Sequence, residues 1–334
     1  MDVQEATMTE TIYNVLDQGA EIVKSEKDIL YLEALSYMGE MMFNRRTDES
    51  LQSSEKLDKL LSDLPDKGVK TRENYRRAMQ LAVLKGMREA TQPHHAMTPD
   101  AVSIFIGYIA NKVLSHDDKT KHVVMDPAVG AGNLMTAVLN QLEKEALFVG
   151  VDPDETLLKL AYANANLQTH DVELFHQDSV SSPLIKEVDL VVSDLPAGYY
   201  PNDTAAEKFV TKADDGHSFV HHLLIEQGVK HVKKGGFLIF LVPNTLFQSE
   251  QSKQLHTFIK QEAIIYSFMQ LPSSMFKNQA VAKSILVLRK QSEGIVAPKQ
   301  ALLAELPSFS QEGSLADMMG RISTWFDDHL KRDH

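Results

Sequence analysis

The sequence predicts an α/β protein with a Rossmann-like sheet of seven mostly parallel strands, preceded by an N-terminal helical domain. From about residue 92, short apolar runs alternate with stretches of helical periodicity, the order expected when helices cover both faces of a parallel sheet. Residues 1–90 have no such alternation, and their apolar side chains recur near helical spacing. A chain of 334 residues is long enough for both parts.

The apolar runs predict strands at residues 122–126, 147–151, 172–176, 188–193, 236–242, 264–270 and 283–289. Helical spacing marks residues 99–113, 133–145, 154–167, 218–232 and 249–262. Near the end of the chain, an apolar stripe that includes Trp325 predicts a helix that packs back on the body, with a partner surface as the alternative. We therefore expect a helical domain at 1–90, a sheet domain at 91–291, and a C-terminal linker and amphipathic helix at 292–334.

The composition excludes several classes of protein. Hydrophobic residues make up 43% of the chain and charged residues 24%, which is ordinary for a soluble globular protein. The longest apolar run, 237–243, is far shorter than the ~20 residues of a membrane helix. The acidic amino terminus does not resemble a secretory signal, so we expect a cytoplasmic protein. Because the chain has no cysteine, disulfides, thiolate zinc sites and thiol nucleophiles are excluded.

A loop with two glycines follows the first predicted strand, in the sequence Asp126-Pro127-Ala128-Val129-Gly130-Ala131-Gly132-Asn133. Glycines at the start of a helix let backbone N–H groups approach a ligand closely. A dinucleotide-binding fingerprint would place a third glycine where Met135 stands, and it has no use for Pro127. The loop therefore predicts a ligand site that is not a nicotinamide site.

Carboxylates also follow the next three strands, in Asp152-Pro153, in Asp178-Ser179, and in the turn Asp194-Leu195-Pro196 that leads to Tyr199 and Tyr200. The carboxyl ends of parallel strands meet at one edge of a sheet, which is where open α/β sheets bind ligands. Asp152 lies where a carboxylate accepts hydrogen bonds from both hydroxyls of a ribose. Aspartates in turns and helix caps are the structural alternative.

Together, these residues resemble the class I S-adenosylmethionine-dependent methyltransferases. Within that class they resemble the adenine-N6 DNA methyltransferases related to the modification subunits of type I restriction systems, and YtxK-like proteins are the most similar group. Thr98-Pro99, then the glycine loop, then the proline turn follow the motif order of those subunits. The resemblance extends over about residues 92–290 and makes residues 91–291 the expected catalytic domain.

The resemblance implies S-adenosylmethionine as the cofactor. Thr98 would help to hold the methionine carboxylate, and the loop from Asp126 to Gly132 would surround the methionine end. Asp152 would accept the ribose hydroxyls, and Asp178 would accept from the adenine amino group. The expected cofactor-binding residues are Thr98, Asp126, Pro127, Ala128, Gly130, Gly132, Asn133, Asp152, Pro153, Asp178, Ser179 and Asp194.

The proline turn suits methyl transfer to an amino group whose lone pair is delocalised into a ring. The Asp194 carboxylate and the Leu195 carbonyl can accept the amino protons, after which the methyl group moves by direct in-line displacement. The absence of cysteine excludes the covalent route of cytosine C5 methylation. Leu195 replaces a family proline and Ala197 a base-stacking aromatic, so stacking on the base is lost unless Tyr199 or Tyr200 takes that place. The expected catalytic residues are Asp194, Leu195, Pro196, Tyr199 and Tyr200.

The charge distribution indicates where the protein could contact nucleic acid. A net charge of −12 argues against a protein that binds nucleic acid over its whole surface. Residues 67–88 nevertheless carry seven basic side chains and one acid, so this helix and the acceptor cleft are the predicted DNA contacts. Only about forty residues follow the last strand, so sequence specificity would need a partner protein. His217 and His221 have a metal-binding spacing without a third ligand, and we expect no metal.

Two alternatives to a DNA methyltransferase remain open at this point. The acceptor could be RNA or a protein amide, since proline-turn sites also serve other planar nitrogens. The chain could also be a cofactor-binding scaffold without catalysis, because Leu195 and Ala197 depart from the family motif.

Overall fold

Eight strands form one sheet in the part of the chain that this computed structural model describes, residues 3–64, 71–89, 97–182 and 187–330. The strands are β1 (Lys121–Asp126), β2 (Glu145–Asp152), β3 (Val172–His176), β4 (Val188–Asp194), β5 (Val232–Pro243), β6 (Ala263–Gln270), β7 (Lys283–Lys290) and β8 (Leu302–Glu305). Their order is β3-β2-β1-β4-β5-β7-β6-β8. Strands β1 to β5 are parallel, β7 is antiparallel to β5 and β6, and β8 is parallel to β6.

The predicted fold class is confirmed, and each predicted strand overlaps an observed one. The predicted number of seven strands was wrong, because β8 extends the sheet within a segment that the sequence predicted as a linker. This strand has four residues, and only alternate side chains are partly shielded, so its apolar signal is weak. Strand β7 is the element that makes the sheet mixed.

The described residues contain eleven α-helices: α1 (Val3–Lys27), α2 (Tyr31–Asn44), α3 (Ser54–Ser62), α4 (Arg72–Glu89), α5 (Asp100–Ser115), α6 (Asn133–Gln141), α7 (Glu155–Leu167), α8 (Asp203–Ala206), α9 (Val220–His231), α10 (Ser252–Glu262) and α11 (Glu312–Leu330). The helix predicted at 133–145 was too long, because α6 ends at Gln141 and β2 begins at Glu145.

Helices cover both faces of the sheet. Leu190 and Val192 of β4 pack in one apolar cluster with α5, α6 and α11, whereas Val191 packs in the opposite cluster with α9 and α10. All three side chains are fully buried. Because successive residues of a strand face opposite sides, a strand covered on both faces has the continuous apolar run seen in the sequence.

The helical part of the chain packs on the sheet part through α2 and α7. A Cβ added at Gly39 of α2 would lie 2.8 Å from the Cβ of Ala163, so glycine permits this close approach. Ala163 and Leu160 of α7 belong to the same apolar cluster as Leu35 and Met38 of α2. The helices before Met97 therefore share a core with α7.

The last helix, α11, packs on the face of the sheet that α5 also covers. Ile322, Phe326 and Leu330 are buried in the cluster that also contains α5, which is the packing that the apolar stripe predicts. Lys112 of α5 forms an ion pair with Asp327 at 2.7 Å. Among the described residues, no helix has both the length and the apolar character needed to cross a membrane.

Candidate functional site

A cavity of about 760 Å³ lies at the carboxyl ends of β1, β2 and β4. Small-molecule sites commonly have volumes of about 300–1,000 Å³. The predicted residues that line it are Thr98, Asp126, Ala128, Gly130, Asn133, Asp152, Pro153, Asp194, Leu195 and Pro196. The predicted residues outside its lining are Pro127, Gly132, Asp178, Ser179, Tyr199 and Tyr200. The structure thus brings together the ends of three strands but places the end of β3 outside the cavity.

Two glycines in left-handed conformations shape the loop between β1 and α6. Gly130 has a φ of 55° and Gly132 a φ of 77°, values that other residues adopt rarely. A Cβ on Gly132 would approach the Cε of Met135 to 2.8 Å, whereas a Cβ on Gly130 would meet no atom within 4 Å. The left-handed φ therefore favours glycine at both positions. A Cβ at 132 would in addition lie 3.1 Å from the Ala161 Cα, while Gly130 leaves open space in the cavity.

Asp126 is buried at the end of β1 and joins the glycine loop to β4. Its Oδ1 accepts from the Ala128 backbone N–H at 2.9 Å and from the Ser193 hydroxyl at 2.6 Å. Burial raises the pKa of Asp126 to about 7, and the charges of Asp152 and Asp194 contribute to the rise, while the two hydrogen bonds oppose it. At neutral pH this carboxyl is therefore close to its titration midpoint.

Asp152 holds the glycine loop from the end of β2. Its Oδ2 accepts from the Gly130 backbone N–H at 2.8 Å, and its Oδ1 accepts from the Asp154 N–H at 2.9 Å. The Asp152 carboxylate lines the cavity beside this loop. Asp154 caps α7 through the Leu157 N–H at 3.0 Å.

Asp178 follows β3 and supports the site from outside. Its Oδ1 accepts from the Val180 N–H at 2.9 Å, and its Oδ2 accepts the hydroxyl hydrogen of Tyr200. The Ser179 hydroxyl donates to the Pro127 carbonyl at 2.6 Å. Burial and Asp178 raise the pKa of Tyr200, which is only 6% exposed. Tyr200 thus anchors the proline turn to Asp178 and presents no free ring face.

Asp194 ends β4 and contacts side chains from two distant parts of the chain. The Thr98 hydroxyl donates to Oδ2 at 2.8 Å, and the Lys283 ammonium donates to Oδ1. The next residue, Leu195, is buried, and its N–H donates to the Leu241 carbonyl at 3.1 Å. The resemblance implied that Thr98 holds the methionine carboxylate, whereas here its hydroxyl orients Asp194.

The aromatic side chain nearest in sequence to the proline turn lies outside the cavity. Ala197 lines the cavity, but Tyr199 stacks on Phe219 with ring centroids 4.9 Å apart and an interplanar angle of 13°. The Tyr199 side chain is 58% exposed. The Tyr199 ring, which would replace the family aromatic, is therefore held against Phe219 and lies outside the cavity lining.

Sequence reasoning missed two residues of this site. Lys283 reaches Asp194 from 89 positions away and lies in no predicted motif, so only the fold shows the contact. Ser193, which donates to Asp126, is a polar residue in an apolar strand, and that exception was a usable signal. Met87 and Met97 also line the cavity from the helical side.

The basic helix predicted at 67–88 corresponds in its described part to α4, whereas Lys67 and Lys70 lie outside the described residues. Three of its cations, Arg76, Arg77 and Lys85, form ion pairs within the chain. Their partners are Glu73 and Asp100 for Arg76, Glu73 for Arg77, and Asp17 and Glu21 for Lys85. These pairs remove the three cations from the basic surface that the sequence predicted.

One group of potential metal ligands, Asp117, His122 and Asp189, is present among the described residues, outside the lining of the cavity. The Lys233 ammonium lies 2.7 Å from a carboxylate oxygen of each aspartate, and the Lys119 ammonium lies 2.6 Å from Asp189. The lysines already provide the positive charge that a cation would bring, so we assign no metal role to this group.

The chain belongs to the N-6 DNA methylase family, whose family model matches residues 88–313. The YtxK N-terminal helical domain matches residues 10–87. The uncharacterized protein YtxK of Bacillus subtilis (strain 168) is 50% identical to this chain over 319 residues, which is 94% of this chain and 96% of that protein. The family that the sequence resembles is therefore confirmed.

Two solved structures are similar to this one. A Listeria monocytogenes protein described as a candidate class I S-adenosylmethionine-dependent methyltransferase is 38% identical with a TM-score of 0.87, over 96% of this chain and 99% of that chain. A type I restriction-modification methyltransferase subunit from Streptococcus thermophilus has a TM-score of 0.63 at 13% identity, over 93% of this chain and 78% of that chain. The second similarity shows the fold alone.

Proposed function

We propose that this chain is an S-adenosylmethionine-dependent N-methyltransferase that transfers a methyl group to the exocyclic N6 amino group of adenine in DNA. One observation carries the proposal: Asp152 and Asp194 line the same cavity, with the glycine loop between them. The first acid suits a ribose and the second suits an amino group. Membership of the N-6 DNA methylase family supports this assignment.

The residues of the cavity fit the cofactor. Gly130 leaves open space beside the loop, and the Asp152 carboxylate, a hydrogen-bond acceptor group, lines the cavity next to it, where a ribose would lie. Asp126, Asp154 and Asp194 add further acids to the lining, and negative charge complements a sulfonium. Asn133 and Ala128 would contact the methionine end, and Pro153 would lie beside the ribose. Pro127, Gly132, Asp178 and Ser179 would support this lining from behind.

The amino group of the acceptor would be bound by the proline turn. When bound, the cofactor supplies an electrophilic methyl group on a positively charged sulfur. The Asp194 carboxylate and the Leu195 carbonyl would each accept one amino hydrogen, which directs the nitrogen lone pair out of the ring plane and toward the methyl group. Thr98 keeps Asp194 oriented, and Pro196 fixes the turn. Positioning and electrostatics are then the main catalytic contributions.

The proline turn would also have to hold the base itself. Tyr199 would stack on the base after leaving Phe219, and Tyr200 would keep the turn anchored to Asp178. Base-on-aromatic stacking is worth about 1–3 kcal/mol, so Tyr199 would contribute measurably to acceptor affinity.

We also propose a domain organisation and a set of contacts for the chain. Residues 1–90 would form a helical domain and 91–291 the catalytic domain, to which β8 and α11 of the segment 292–334 are added. A partner protein would supply sequence specificity. DNA would contact the acceptor cleft and the remaining exposed cations of α4, such as Arg88, and the protein would act in the cytoplasm.

The test supplies the full chain with methyl-labelled cofactor and, in separate reactions, DNA, RNA and protein fractions. We expect label in DNA, recovered as N6-methyladenine by mass spectrometry of the nucleosides. Asp194→Ala should lose transfer and keep its affinity for the neutral product S-adenosylhomocysteine in calorimetry. Label confined to RNA or protein would replace the DNA assignment. Cofactor binding without label in any fraction would instead support a non-catalytic scaffold.

A further inference from the structure

Lys283 brings an amine of the chain itself to the acceptor end of the cavity. It is the first residue of β7, and because β7 is antiparallel to β5, this end of the strand lies at the same edge as the end of β4. Its ammonium donates to Asp194 Oδ1, and the two side chains are 24% and 14% exposed. Thr98 holds the other oxygen of Asp194.

Lys283 is a basic residue in an acidic cavity lining. Of the described residues that line the cavity, Lys283 is the only lysine or arginine, among the four acids Asp126, Asp152, Asp154 and Asp194. The neighbouring His221 is neutral, because burial lowers its pKa to about 3, and the charge of Lys283 adds to this effect. Asp194 is therefore the nearest group that balances the charge of Lys283.

We propose that the Lys283 ammonium occupies the place on Asp194 that an acceptor amine takes, so that only a polyanionic acceptor, which draws Lys283 away, gains access to Asp194. This inference rests on the proposed function. An amine that donates to a carboxylate oxygen of Asp194 makes the contact that the acceptor amino group would make. The acceptor and Lys283 would therefore compete for Asp194.

The chemistry of the acceptor decides this competition. A neutral nucleoside offers no negative charge to Lys283, so it would have to break the ion pair without compensation. A nucleic acid strand offers phosphates, and a lysine side chain is a flexible point charge that can move from a carboxylate to a phosphate. Lys283 would thus select a strand over a free nucleoside, although both carry the same amino group.

The first experiment measures binding of S-adenosylmethionine and of neutral S-adenosylhomocysteine by calorimetry. Removing the ammonium in Lys283→Met leaves Asp194 uncompensated beside the sulfonium. We expect the affinity for S-adenosylmethionine to rise about tenfold relative to that for S-adenosylhomocysteine. Lys283→Arg keeps the charge and should keep the wild-type ratio. An unchanged ratio in Lys283→Met would overturn the proposal.

A matched control is Lys121→Met. Lys121 is also the first residue of a strand and pairs with an aspartate, Asp171, at 2.8 Å, but it lies outside the lining of the cavity. In Lys121→Met, the ratio of the affinities for S-adenosylmethionine and S-adenosylhomocysteine should stay at the wild-type value. Thermal unfolding should show that both methionine variants fold. If the wild type binds neither compound, the proposed function fails; binding with an unchanged ratio contradicts only the role of Lys283.

The second experiment compares methyl transfer to an adenine-containing oligonucleotide with transfer to deoxyadenosine. The wild type should strongly prefer the oligonucleotide, and Lys283→Met should reduce that preference at least tenfold by admitting the nucleoside. A preference as large as that of the wild type would contradict the selection of strands by Lys283. If neither the wild type nor Lys283→Met transfers a methyl group, the proposal is tested by the ratio of the affinities for S-adenosylmethionine and S-adenosylhomocysteine.

Discussion

Arg76 of α4 donates through Nη1 to Oδ1 of Asn133, the first residue of α6, at 3.3 Å. The Asn133 side-chain amide in turn donates to the Thr98 carbonyl at 2.9 Å, and the Thr98 hydroxyl donates to Asp194. A continuous set of hydrogen bonds thus joins the helical part of the chain to the acid at the end of β4. Arg76 also pairs with Asp100 at 2.6 Å and is fully buried.

Replacing Arg76 by methionine should destabilise the protein by about 2–3 kcal/mol, because half-exposed Asp100 and Glu73 lose a charged hydrogen-bond donor and buried Asn133 loses its partner. Urea unfolding measures this loss. The control is Arg77→Met on the same helix, which breaks a partly exposed pair with Glu73 and should cost at most about 1 kcal/mol. Equal losses in the two variants would contradict a special role for the buried arginine.

Replacing Asp152 by alanine should weaken S-adenosylmethionine binding at least a hundredfold. In the proposed function it would remove a charged acceptor from two ribose hydroxyls, at about 1.5–3 kcal/mol for each hydrogen bond, and it frees the Gly130 N–H. Calorimetry gives the affinity. Asp171→Ala is the control, since that exposed acid pairs with Lys121 outside the cavity lining and its loss should leave binding unchanged.

The stability of the protein should depend on the titration of Asp126. Its pKa is about 7 in the folded chain and about 4 in the unfolded chain, so between these values only the folded state keeps the proton. The free energy of unfolding therefore falls as pH rises from about 4 to 7, by up to about 1.4 kcal/mol per pH unit from this group.

Asp126→Asn removes that contribution, so its stability relative to the wild type should increase from pH 5 to pH 7.5 in urea unfolding. Above about pH 7 the difference in stability should level off, because Asp126 is then ionised in both the folded and the unfolded chain. Wild-type and variant curves that stay parallel over this interval would refute the raised pKa. Asp171→Asn, at an exposed site, serves as the comparison.

The two loop glycines should respond differently to alanine. Gly132→Ala should cost about 2–3 kcal/mol, because it combines a left-handed conformation with a Cβ that would lie only 3.1 Å from the Ala161 Cα. Gly130→Ala meets no neighbouring atom, so only the conformational cost of about 1 kcal/mol applies. Thermal or urea unfolding compares them, and a larger loss at Gly130 would show that the packing at Gly132 has been misassigned.

The sequence was a good guide to the strands and to the edge where they end. Asp126, Asp152 and Asp194 each follow a buried parallel strand, and parallel connectivity alone brings such ends together. Asp178 follows the same pattern, yet the hydroxyl of Tyr200 contacts it and the cavity does not include it. That contact depends on the path of a loop, which no local periodicity encodes.

Contacts between distant segments were beyond sequence reasoning. The run at 283–289 predicts a strand but not its direction, and the antiparallel direction of β7 is what brings Lys283 to Asp194. The basic side chains of α4 suggested a surface for polyanions, but acids from α1 and α5 pair with them. The charge of a segment is visible in its sequence, whereas the partners of that charge depend on tertiary packing.

Because Met87 of α4 and Met97 line the cavity opposite the strand ends, the amino-terminal helices complete the chamber in which a ligand would lie. A truncated chain that begins after residue 87 would retain every strand and every acid of the site. It would nevertheless lose the Met87 side of the cavity, so separating the sheet portion from these helices would remove part of its binding surface.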